Sequence, residues 1–289
     1  MALKRVLVTG GSGFIGRRAV LALAAQGWEV HTVGRSVDSH DDDQAQWHAL
    51  DLFDHGDTAE LMARLRPTHL LHLAWNTAHG RFWQAPDNLL WLGASLNLLT
   101  AFADQGGEHA VLAGSCAEYD WSHGYCQEAH TPCRPRSLYG EAKLATLRLA
   151  QQLMKGRTTR LGWGRIFFPY GPGEGAARFI PSVIDAMAGG QPVRCSHGRQ
   201  YRDFLHVDDV AGAFCHLLET GAEGVFNIGS GEPVRLREVV ARIAQTMDWR
   251  GEPEFGAIAV PDDDPPLLAA DISRLAATGW QPTLSLAEG

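Results

Sequence analysis

Tyr139 and Lys143, four apart in SLYGEAKLA, carry a phenol and an ammonium. In a helix that spacing puts both on one face. An ammonium beside a phenol favours the phenolate and lowers its pKa, which tunes a tyrosine toward proton transfer near neutral pH. The same lysine can reach a cofactor ribose. Further upstream, GSCAEYDW (Gly114 to Trp121) places Ser115, Cys116, Glu118 and Tyr119 just after an apolar run. Cys116 would need a fixed cation or a helix N-terminus to become a nucleophile, and none can be inferred beside it.

A third group cradles rather than reacts. VLVTGGSGFIG sets glycines at 10, 13 and 16 between an apolar run and a helical one. Gly10 allows a tight turn, Gly13 lets a phosphate approach the backbone, and Gly16 lets the helix pack on the strand. With Phe14 and Ile15 this turn delivers a helix N-terminus, whose free N–H groups suit a pyrophosphate. The chain should therefore bind a dinucleotide. An NAD site usually has an acid at the end of the second strand, on the ribose 2′-hydroxyl. Here that end reads His31-Thr32-Val33-Gly34-Arg35-Ser36, with no acid before Asp38. Arg35 and Ser36 could instead hold a 2′-phosphate. This favours NADP(H), with NAD(H) possible. Asp51 and Leu52 could meet the adenine.

The elements that must position these groups follow from the hydrophobic pattern. Lys4–Gly11, Trp28–Arg35, Thr68–Trp75 and His109–Cys116 read as buried strands, with His72 in the core. Helical stretches run over Phe14–Ala25, Asp57–Leu65, Pro86–Ala103 and Ser137–Met154, and a further strand covers Thr159–Phe167. Alternating strand and helix predicts an α/β protein, a Rossmann-type doubly wound parallel sheet. Residues 1–167 would form the dinucleotide-binding domain, completed by segments near 201–228. Residues 168–289 would supply most of a smaller mixed α/β substrate-binding part. Leu89, Leu92, Leu96 and Leu99 should face inward, on the sheet or on a partner.

Composition narrows the field. Net charge is −8 with no basic block, so nucleic acid and anionic membranes lack support as partners. The five cysteines show no paired spacing, which argues against zinc or a disulfide framework and for a reducing compartment. No signal peptide or bilayer-length apolar run is visible, so a cytoplasmic location is expected.

Taken in order, TGGSGFIG, HLAW, GSCAEYD, YGEAK, RIFFPYGPGE, RDFLHVDDV and FNIGSGE resemble the extended short-chain dehydrogenase/reductases, the nucleotide-sugar epimerase, dehydratase and reductase group. The resemblance covers nearly the whole chain. It implies a catalytic set of Ser115, Tyr139 and Lys143, and a cofactor contact at Leu73, Ala74 and Trp75. It also implies a diphosphate contact at Arg202 and dimerisation through the two long helices. Dehydratases of this group carry Asp and Glu immediately after the Ser/Thr. Cys116 and Ala117 stand there, which disfavours dehydration. Glu118 would point away along a continuing strand, as a structural or surface acid. Cys116, Phe168, Phe179 and Arg194 are further candidates for substrate contact, with Trp75 and Trp83 as pocket walls. Asp203 and Asp209 should hold a local turn and a helix start. Two departures stand out: Phe168 replaces a frequent Asn, and VPDDDPP replaces a late arginine-bearing segment. The implied activity is NADPH-dependent reduction of a 4-keto-6-deoxyhexose nucleotide. A nucleotide-sugar 4-epimerase is the alternative, and a non-catalytic dinucleotide sensor a third reading from another class.

Overall fold

The computed structural model describes residues 4–35 and 44–289 of the chain. Ser36 and Asp38 lie outside them. Strands β1 (Arg5–Thr9), β2 (Glu29–Gly34), β3 (Gln46–Ala49), β4 (His69–His72) and β5 (His109–Ser115) belong to one parallel sheet of seven. The strands Arg160–Ile166 and Gly224–Ile228 complete it beyond β5. From the far edge inward the order is β3, β2, β1, then β4 and β5, so the direction of winding reverses at β1. Ligands of open α/β sheets bind at that reversal, beyond the carboxyl ends of the strands.

Helices cover both faces. α1 (Gly16–Ala25) packs with α6 (Val207–Thr220) on one side. α2 (His55–Leu65), α3 (Asp87–Asp104) and α4 (Leu138–Met154) cover the other. α3 places Leu98 and Leu99 in the core, but Leu89 is 58% exposed. Leu89 therefore does not face the sheet: it sits in the first turn of α3, beyond the sheet's cover. His72 is buried, as its place in the strand required. It bridges Thr9 Oγ1 at 2.6 Å and Ser95 Oγ at 2.8 Å, linking β1 to α3. Burial brings its pKa down to about 3, so the bridge is made by a neutral ring.

Beyond the sheet, α5 (Phe179–Ala188) and several short strands form a second layer of structure. It is tied back by buried polar side chains. Asp203 accepts from the backbone N–H of Ser230, Gly231 and Ala270. Asp209 accepts from Thr283 and Leu284. Asp209 does lie in the first turn of α6, as expected of the helix start, but His206 caps the helix, and both acids join segments far apart in sequence. Asn227 is another such joint. Its Oδ1 accepts from Tyr119 Oη at 2.7 Å, and its Nδ2 donates to Cys126 O and Asp271 O at 2.9 and 3.1 Å.

Candidate active site

The glycine turn is held by sterics. Gly10 has φ +73°, and a Cβ there would lie 2.9 Å from Ala74 N. A Cβ on Gly16 would run into the Gly10 carbonyl oxygen. Gly13 N donates to Gly10 O at 2.9 Å and closes the loop. Leu73 N and Ala74 N both bond to Thr9, which brings the end of β4 against the turn. Phe14 and Ile15 are half-buried in it. No side chain caps α1 and no acid lies in its first turn, so the N-terminus stays open to an anion. These features fit the pyrophosphate of a dinucleotide. Arg35 is exposed at the end of β2. Leu52 is buried, while Asp51 is exposed and accepts from Phe53 N.

Ser115 ends β5 with extended backbone, and the chain then breaks into a short helical turn, Cys116–Glu118. Ser115 Oγ accepts from Ala117 N, and Glu118 Oε1 accepts from Ser115 N at 2.8 Å, a reciprocal cap that fixes the serine. Glu118 is fully buried. It also accepts from Trp163 Nε1 at 3.0 Å and Arg165 Nε at 2.7 Å. The expectation that Glu118 points away along a continuing strand does not hold, because the capped turn folds it back behind the serine. Cys116 is buried, and burial pushes its thiol pKa up, the opposite of an activated nucleophile.

Ser137 caps α4 through Gly140 N, placing Tyr139 and Lys143 on its buried face. The Ser115 hydroxyl lies beside the Tyr139 phenol and favours its ionised form, but burial dominates and drives the phenol pKa up. Lys143 makes no hydrogen bond to the phenol among the described residues. Lys143 Nζ donates to Ala113 O at 2.8 Å and lies 3.7 Å from the centroid of the Trp75 ring. Burial brings Lys143 down to about 7, against the pull of the Glu118 carboxylate. The expected lysine-lowered phenol is therefore replaced by two desolvated groups, each pushed toward its neutral form.

Arg178, just before α5, is a cation that favours the Tyr139 phenolate. Its guanidinium lies over the Phe82 ring at 5.7 Å and donates to Thr77 O. Glu174, whose carboxyl Oε2 is buried with no hydrogen-bond partner among the described residues, feels the same arginine; burial raises its pKa to about 7. Sequence reading passed over both residues, since only the fold brings the loop after Tyr170 to Tyr139. Phe82, Trp83 and Trp75 meet Tyr139 edge to face and enclose it.

Of the other candidates, Phe168 and Phe179 both pack on Phe204. Arg202 is buried and paired with Asp264 at 2.5 Å. Arg194 is exposed and donates to Ala257 O, with no contact to the Ser115 group. No cluster suited to a metal ion occurs among the described residues, where all five cysteines are free thiols.

A glycine-turn sheet with a serine, tyrosine and lysine gathered at its carboxyl edge defines a dinucleotide-dependent enzyme of the extended short-chain dehydrogenase/reductase type. Residues 6–229 match the model of the NAD dependent epimerase/dehydratase family, and the chain belongs to that family. It is similar to the CDP-abequose synthase of Salmonella typhimurium, 35% identical over 132 residues that cover 43% of this chain and 44% of that protein. Against the GDP-6-deoxy-D-mannose reductase of Pseudomonas aeruginosa it is 28% identical, with 98% of this chain and 93% of that one covered. The Thermus thermophilus UDP-glucose 4-epimerase, solved with NAD, superposes with a TM-score of 0.86 at 27% identity over 99% of this chain and 96% of that chain.

Proposed function

We propose that the protein reduces the keto group of a nucleotide-linked 4-keto-6-deoxyhexose. The observation that carries this reading is a Ser115 hydroxyl held by its cap beside the Tyr139 phenol, together with an exposed Arg35, and no acid, at the end of β2. Burial raises the phenol pKa, the direction that suits a proton donor to a developing alkoxide. Ser115 Oγ, fixed by its cap, hydrogen-bonds the substrate oxygen. Tyr139 delivers the proton to that oxygen as negative charge develops. A reduced nicotinamide, held by the glycine turn, would supply the hydride chemistry for the carbonyl carbon. Cys116 and Ala117 offer no second acid or base, and Glu118 is held by Arg165, so water elimination lacks its groups. The Pseudomonas reductase among the relatives supports the same direction.

In this reading the glycine turn, Leu73, Ala74, Asp51, Leu52, Trp75 and Lys143 hold the dinucleotide. Exposed Arg35, with no acid at the end of β2, favours NADPH. The Thermus epimerase, solved with NAD, favours the second reading, a nucleotide-sugar 4-epimerase that recycles its cofactor. Exposed Leu89 and Leu90 on α3 and Leu149 on α4 support a homodimer through these helices. Free cysteines support a reducing, cytoplasmic setting; among the described residues, no helix is long and apolar enough to cross a membrane.

The test is direct. The purified protein is mixed with NADPH and a panel of nucleotide-linked 4-keto-6-deoxyhexoses, and absorbance of the reduced nicotinamide is followed. Consumption of NADPH sustains the reductase. Tightly held NAD released on denaturation, with no NADPH consumed, overturns it in favour of the epimerase.

A further inference from the structure

Arg202 ends the short strand Tyr201–Arg202, which pairs in parallel with Leu267–Ala270. Its side chain is 7% exposed. Its guanidinium lies 5.7 Å from the centroid of the Phe168 ring, which packs against the cluster that holds Cys116, next to Ser115. Nη1 donates to Tyr201 O at 2.8 Å and Pro265 O at 2.9 Å. Nη2 meets Asp264 Oδ1 at 2.5 Å. The second Asp264 oxygen accepts from Gln200 Nε2 at 3.1 Å.

The two partners are held unequally. The arginine is anchored by backbone carbonyls and buried. The carboxylate is 26% exposed and sits in Asp262-Asp263-Asp264-Pro265-Pro266. The same run engages a second arginine, since Asp263 O accepts from Arg136 Nη1 at 2.7 Å. It lines a cleft of about 390 Å³ with Trp121, His123 and Arg136. That cleft adjoins the reacting end. Trp121 Nε1 donates to Cys116 O, and its ring meets Trp83, which meets Tyr139.

We propose that Asp264 is a resident counter-ion for Arg202 and a specificity-determining residue: an anionic group of the substrate binds there by displacing its carboxylate. The proposal rests on the nucleotide-sugar reading for the source of that anion, a diphosphate. A phosphate oxygen can replace a carboxylate on Nη2 with the same charge-assisted chemistry, while the carbonyl bonds to Nη1 stay in place. A ligand without negative charge cannot make the exchange, because it would leave a buried guanidinium uncompensated. Selection then comes from a competitor built into the chain as well as from attraction.

The experiment titrates inorganic pyrophosphate into the full chain by calorimetry, for the wild type, Asp264→Asn and the double variant Arg202→Gln/Asp264→Asn. Removing the competing charge should tighten binding to Asp264→Asn by about tenfold or more. The double variant should lose that gain. Equal or weaker binding to Asp264→Asn overturns the proposal, and so does a gain that survives without Arg202. Should Asp264→Asn fold poorly, the wild type decides alone. Bound pyrophosphate should accelerate amide hydrogen exchange at Asp262–Asp264 and Leu267. Unchanged exchange, or no pyrophosphate binding, overturns the proposal. Pyrophosphate carries neither sugar nor reducible carbonyl, so these outcomes are separate from any failure to consume NADPH.

Discussion

Glu118 and Lys143 are both buried, both ionisable, and both bonded to the strand that carries Ser115. Glu118 holds Ser115 N, and Lys143 holds Ala113 O. Their surroundings differ sharply. Glu118 has an arginine, an indole N–H and a backbone N–H on its two oxygens. Lys143 has a single carbonyl and the face of Trp75. Behind the serine, charge is matched by charge and the geometry is fixed. In front of it, Tyr139 and Lys143 are left with few partners and displaced pKa values. Rigid support and reactivity are thus assigned to opposite sides of one strand end.

The largest test of that contrast is Glu118→Ala. It would leave Arg165 buried and uncompensated and the Ser115 cap open, at a cost of about 3–5 kcal/mol in unfolding free energy. Denaturant unfolding measures it, and a loss below about 1 kcal/mol would erase the distinction. Next comes Tyr139→Phe, on the reactive side. Turnover should fall by about a hundredfold or more while the melting temperature and cofactor binding hardly move. A variant that kept its rate would remove Tyr139 from the chemistry. Trp163→Phe deletes one donor to Glu118 and should cost about 1–3 kcal/mol without changing the pH dependence of turnover.

The smallest effect is a slope. The folded-state pKa of Lys143, about 7, lies below its unfolded value. Below both values each state carries the proton, and the folded state bears the cost of the buried charge. Between about pH 7 and about 10.4 the unfolded state binds more protons, so this residue makes stability rise with pH. Lys143→Met should flatten that rise. Urea unfolding across the window, wild type against variant, reads the difference; parallel curves would mean that Lys143 is solvated after all.

Much of this was legible in the sequence, for a physical reason. Gly10, Gly13 and Gly16 act through sterics within a single turn, and alternating strand and helix patterns follow from local periodicity, so the parallel sheet could be read directly. Ser137 capping α4 is equally local. What escaped the reading was long-range. Asp203 and Asp209 looked like turn and cap residues, yet their partners lie at Ala270 and Thr283. The Glu118 turn depended on Arg165, a buried partner from another strand. Arg178 comes near Tyr139 only because the loop after Tyr170 packs on Thr77 and Phe82, about a hundred residues earlier in the chain. The Tyr139–Lys143 spacing placed both residues on one face, but it did not show that the lysine would turn to Ala113 and Trp75.

The Asn227 joint has a consequence for the order of assembly. Its amide serves Tyr119, Cys126 and Asp271 at once. A ribosome releases the serine turn and α4 long before it releases Asn227 and Asp271. Until then Tyr119 has no acceptor, and the edge of the sheet beside Arg160–Ile166 is bare. The serine turn is local, but its lock is a contact 108 residues apart in sequence, so the turn closes early and is fixed only by a late, long-range pairing.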